Sequence, residues 1–170
     1  YECGGCQLQH LSYEGQLRAK KQQVYDAVTR IGKQKSILIH DTLGAENPWN
    51  YRNKMQFPIG RTKGEITIGC YAQGTHEIIN TDDCRIQKEG NNEIVWAVRE
   101  VIEKLRIPVY DEDRHTGVLR HVVGRVGKNG DIMLVLVTAV KELQRARDLI
   151  RLLRDRLPKL VSLQQNVQTY

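Results

Sequence analysis

Cys3-Gly4-Gly5-Cys6 carries the sharpest chemical signal in the sequence. Two thiols three positions apart can bind one metal ion or one cluster. The glycines between them let the backbone curl so that amide N–H groups point at the sulfurs. The same spacing serves zinc sites, redox pairs and iron–sulfur sites. A redox pair of the thioredoxin kind follows a strand and opens a helix, whereas this motif begins the sequence, so metal is the favoured chemistry. Cys84 stands in the polar turn Asp82-Asp83-Cys84-Arg85 and is the expected third ligand, the plain alternative being a free surface thiol. Cys70 continues the alternation of Ile66 and Ile68, so it is expected to pack in the core as a small hydrophobe. Three thiols fall one short of a closed four-ligand site. Either His10 completes a zinc site or a fourth cysteine precedes Tyr1.

Behind that loop, Ser12 is a plausible N-cap for a helix reaching Ile31, with Gly32 placed as a left-handed C-cap. Tyr13, Leu17, Val24, Val28 and Ile31 form its apolar stripe, while Arg18, Lys20, Lys21 and Arg30 lie largely off it. Met55, Phe57 and Ile59 alternate as a strand, Lys63-Gly64 turns the chain, and Ile66 to Cys70 returns. A third short strand is expected over 76–80. A helix over 92–105 follows, with Ile94, Val95, Val98, Val101, Ile102 and Leu105 as its core stripe. Strands over 118–126 and 132–138 flank the turn Gly127-Lys128-Asn129-Gly130. A helix marked by Leu143, Leu149 and Leu153 and a last strand over 160–163 complete the pattern. The fold class is α+β: an antiparallel or mixed sheet covered by helices, with an N-terminal cysteine loop and a long helix. The expected divisions are a loop over 1–10, a helix and linker over 11–48, and an α+β domain over 49–170.

Lys and Arg outnumber Asp and Glu by 26 to 20, giving a net charge of +6, which favours a polyanionic partner. No stretch is long and apolar enough to span a bilayer, and a cytoplasmic location is the default. Trp49, Tyr51, Arg52 and Lys54 put cations and flat rings in one short stretch, which is what single-stranded RNA requires. The same residues also suit a strand entry with a snorkelling arginine and a core tyrosine. Strand parity groups Arg120 with Val122 and Gly124, and His121 with Arg125. Arg120 or Arg125, but not both from one flat face, is therefore expected to meet RNA.

Together these segments resemble the uracil-5 RNA methyltransferases, specifically the 23S ribosomal-RNA type that carries a [4Fe–4S] cluster. The resemblance runs through Cys-Gly-Gly-Cys, Gln7-Leu8-Gln9-His10, Ser12-Tyr13, Tyr51-Arg52-Asn53-Lys54, Asp83-Cys84, Gly117-Val118-Leu119-Arg120-His121 and Gln165-Asn166, in order. It implies that Cys3, Cys6 and Cys84 are cluster ligands, with the first ligand of the family's motif lying upstream of Tyr1. It implies S-adenosylmethionine as methyl donor in the parent protein and RNA as partner. No segment matches the family's donor-binding turn, its nucleophilic cysteine or its base, so no catalytic residue is expected here and the chain reads as an inactive central region. The first helix is then expected to pack on a catalytic domain. The alternative is a stand-alone zinc nucleic-acid-binding module using Cys3, Cys6, Cys84 and His10.

Overall fold

A computed structural model describes residues 2–169. The chain forms two compact units, one made of Tyr1–Gly5 with Trp49–Tyr170 and the other of Cys6–Pro48. In the smaller unit, helix α1 (Tyr13–Asp26) starts where Ser12 Oγ accepts from the Gly15 amide, and it continues as a π-helical turn over Ala27–Ile31. Gly32 is not the left-handed residue expected, since its φ is −75°; Lys33 takes that role at φ 57°. Glycine is still required at 32, because a Cβ there would meet the Val28 carbonyl oxygen at 2.6 Å. The apolar stripe of α1 finds no core: the helix buries no residue, and Val24 and Ile31 are 50% and 81% exposed. What holds this unit is local: Lys21 pairs with Asp41 at 2.7 Å, and the Tyr13 hydroxyl accepts from the Ala45 amide at 2.7 Å.

The larger unit is a mixed six-stranded sheet in the order β3-β2-β1-β4-β5-β6. Its strands are β1 (Lys54–Thr62), β2 (Glu65–Tyr71), β3 (Ile78–Asn80), β4 (Leu119–Val126), β5 (Ile132–Thr138) and β6 (Leu160–Val167). All neighbours are antiparallel except β5 and β6. Helices α2 (Glu89–Leu105) and α3 (Ala146–Arg156) supply the rest of the core. Met55, Phe57, Ile59, Ile66 and Ile68 pack with the predicted α2 stripe and with Leu149 and Leu153 of α3. Helix α2 begins three residues before the predicted start, at Glu89, and buries Asn91 and Asn92 in its first turn. Strand β6 runs on past the expected end to Val167, alongside β5. Among the described residues no helix is long and apolar enough to cross a membrane.

Candidate cysteine site and nucleic-acid-facing surface

The cysteine loop is tied to the end of β2. Cys3 bridges to Ala72, and the Gly4 amide donates to the Tyr71 carbonyl at 2.9 Å. This pairing explains both glycines. A Cβ on Gly4 would stand 2.9 Å from the Tyr71 oxygen, and one on Gly5 would stand 3.3 Å from Cys70 Sγ and 3.4 Å from Cys3 Sγ. The Gly5 amide donates to Cys3 Sγ at 3.3 Å, the kind of N–H···S contact that stabilises a metal-bound thiolate.

Cys70 follows the parity of Ile66 and Ile68 and packs against the core, but it is only half-buried, at the rim where the loop docks. Burial pushes its thiol up to about 12, helped by the neighbouring Cys3 and Cys84 and opposed by the Arg52 guanidinium. Cys70 thus packs against the core as expected but is not fully buried, and its sulfur lies beside the Cys3 loop at Gly5. The alternation was right about the face and silent about what meets its end.

Cys84 is held by α2. Its amide donates to Asn92 Oδ1 at 3.2 Å, and Asn92 Nδ2 donates to Asp83 Oδ1 at 2.9 Å. Its carbonyl accepts from the Gln87 amide at 2.9 Å, while Arg52 exchanges backbone bonds with Ile86 and Lys88 at 2.8 and 2.9 Å. One hydrogen-bonded frame thus carries both Cys84 and the 50–54 stretch. Cys6, in the smaller unit, is half-buried, and His10 is exposed. Among the described residues, no three His, Cys, Asp or Glu side chains close tightly enough to hold a single metal ion. Cys3, Cys70 and Cys84 are the thiols of the larger unit, and of these Cys3 Sγ accepts from the Gly5 amide.

Of the candidate RNA contacts, Tyr51, Arg52, Lys54 and Arg125 are exposed and Arg120 is half-buried. Lys54 and Arg125 are register partners across β1 and β4, on the face opposite Met55 and Gly124. Like charges directly opposite each other destabilise a sheet, and here both side chains are exposed. Arg120 departs from its expected face. The register shifts between Leu119 and His121, so Leu119 and Val122 both reach the core and Arg120 leaves it. Its guanidinium lies over the Tyr110 ring, 4.3 Å from the centroid. Burial and then Arg120 hold the His121 imidazole below its ordinary value, with Glu112 opposing.

No protein-family model matches the chain. Proteins named as uncharacterized RNA methyltransferases do: one from Bacillus cereus is 47% identical over 99% of this chain and 37% of its own length. One from Halalkalibacterium halodurans is 46% identical over 98% of the chain and 36% of its own length. The chain is similar to RNA methyltransferases. It spans little more than a third of the length of these curated relatives. Among solved structures it matches the Pyrococcus abyssi tRNA (uracil-54, C5)-methyltransferase in complex with S-adenosyl-L-homocysteine. The TM-score is 0.65 and the identity 27%, over 88% of this chain and 34% of that one.

Proposed function

We propose that this region is the iron–sulfur and RNA-docking part of an S-adenosylmethionine-dependent RNA uracil-5 methyltransferase of the cytoplasm, acting on 23S ribosomal RNA. The observation that carries the reading is the match, across 88% of the chain, to an enzyme named for methylating C5 of uracil. In the reaction the uracil C5–H bond gives way to a C5–CH3 bond. The methyl donor leaves as the neutral thioether, and the C5 proton passes to a base. The donor supplies the methyl group, and the residues of this chain position RNA and thiols.

Cys3, Cys6 and Cys84 are the thiols assigned to a [4Fe–4S] cluster, which would tie the cysteine loop to the Cys84 turn. Tyr51, Arg52, Lys54 and Arg125 form the docking surface, with Arg120 at its edge. The partly exposed thiol frame and the facing Lys54 and Arg125 support this assignment. The assignment is tested by anaerobic purification followed by iron, sulfide and zinc analysis. Iron with a broad visible band, lost on Cys84→Ser, agrees with it. Stoichiometric zinc in a colourless protein would favour the zinc-module reading instead.

A further inference from the structure

On the open side of the sheet, between β1, β2 and the 109–113 segment, lies a cavity of about 440 Å³ that the cysteine frame does not use. That is the size of a small-ligand pocket. We propose that this cavity holds a guanine base, taken from RNA at a position other than the methylated uracil. The proposal deepens the RNA reading above and rests on it.

The walls are flat. The Tyr71 and His76 rings stack with centroids 5.2 Å apart and planes 25° apart, yet the His76 side chain is 82% exposed, so this pair is a surface platform rather than core packing. Arg120, lying on Tyr110, forms a second flat surface in the same cavity. Aromatic rings and arginine planes are the groups on which splayed-out bases stack.

The polar groups choose among the bases. Four acids (Glu77, Asp111, Glu112 and Asp113) line the cavity against two arginines, Arg61 and Arg120. That balance repels phosphate and attracts a ligand edge made of N–H donors. Asp111 is already spent on its own turn, accepting from the Asp113 and Arg114 amides at 3.0 Å. Glu112 is not: one carboxylate oxygen meets His76 Nδ1 at 3.1 Å, and no hydrogen bond engages the other among the described residues. Arg120 lines the cavity from the other side, with its Nη1 donating to the Gln168 carbonyl at 3.4 Å. Tyr71, Glu112 and Arg120 line the same cavity. Guanine alone among the RNA bases offers two adjacent N–H donors on one edge for a carboxylate and two acceptors, O6 and N7, for an arginine. Adenine lacks the paired donors, and uracil lacks the N7 acceptor.

Two measurements test this. In the first, guanosine is titrated into the protein and the His76 ring resonances are followed by NMR, with adenosine and uridine as comparators. Saturable shifts with guanosine only are expected; equal shifts with adenosine, or none with any nucleoside, overturn the proposal even if the protein binds RNA well. In the second, fluorescence anisotropy compares short single-stranded oligonucleotides whose central base is G, inosine or A within a uridine run. The G oligonucleotide should bind about tenfold tighter than the A oligonucleotide, with inosine between them. Glu112→Gln, at an exposed position, should erase that preference while leaving the all-uridine control unchanged. A preference that survives Glu112→Gln places guanine elsewhere. An arginine-containing peptide that shifts the His76 resonances while guanosine does not makes the cavity a protein-docking site. Absence of binding to every oligonucleotide, with guanosine still shifting His76, overturns the RNA reading and leaves a guanine site without its RNA.

Discussion

Asn92→Ala is the perturbation that best tests how the fold places Cys84. Asn92 sits in the first turn of α2, 8% exposed, and makes two side-chain hydrogen bonds to the turn: 3.2 Å from the Cys84 amide and 2.9 Å to Asp83. Each such bond contributes about 1 kcal/mol net, and a partly buried amide left without an acceptor costs about 1 kcal/mol more. The expected loss is therefore about 2–3 kcal/mol. For a domain of this size that lowers Tm by roughly 4–12 °C. Urea denaturation followed by far-UV circular dichroism measures it, with midpoint and slope fitted separately. Asn92→Asp keeps the acceptor for the Cys84 amide but sets a second carboxylate against Asp83, so an intermediate loss is expected. Iron retention should fall in parallel, because the Cys84 thiol loses its fixed position. A loss under about 0.5 kcal/mol for Asn92→Ala, the range of ordinary surface changes, would show that the Asp83–Cys84 turn is held by something other than α2.

Further outcomes follow from other parts of the frame. Gly124→Ala should cost about 1–3 kcal/mol by overpacking: its Cβ would stand 2.7 Å from Ile94 Cδ1, 2.9 Å from Asn91 Oδ1 and 3.1 Å from Met55 Cε, and an unchanged urea midpoint would contradict that. Leu153→Ala, at a fully buried position of α3, should cost about 2–5 kcal/mol, read from the same titration. The fold holds His121 below its ordinary value of 6.5, so its neutral form is the one favoured on folding. That contribution is complete above about pH 6.5 and is lost as pH falls through the lower folded value; His121→Gln should flatten the slope of stability against pH in that window. Replacing Lys54 and Arg125 together with Ala should weaken RNA binding similarly for all sequences and lower the salt slope by about 2; an unchanged slope would remove these two residues from the phosphate contacts.

The sequence shows most of the sheet and little of what meets at its ends. Alternation at Met55, Phe57 and Ile59 and the stripe of α2 reports burial directly, because the large unit has one core and these positions face it. The α1 stripe misleads for the complementary reason: periodicity states which side of a helix is apolar, not whether anything covers it, and in its own unit nothing buries Val24 or Ile31. Parity groups Arg120 with Val122 and Gly124 only if the strand is unbroken, and the shift between Leu119 and His121 breaks it. The place of Cys70 beside Cys3 is not legible in the sequence. It depends on Cys3 bridging to Ala72, a non-local pairing with no local signal. The cavity beneath His76 and Arg120 was missed for the same reason, since Tyr71, Glu112 and Arg120 come from three separate segments.

The function proposed for this region is service to methylation at C5 of uracil in RNA. The most direct measurement uses the full-length protein with S-adenosylmethionine and 23S ribosomal RNA transcripts carrying tritium at uracil C5. Forming the C5–CH3 bond expels the C5 hydrogen, so tritium is expected in water, mole for mole with methyl transferred. Methyl transfer without tritium release would place the methyl group on another atom and contradict the proposed reaction.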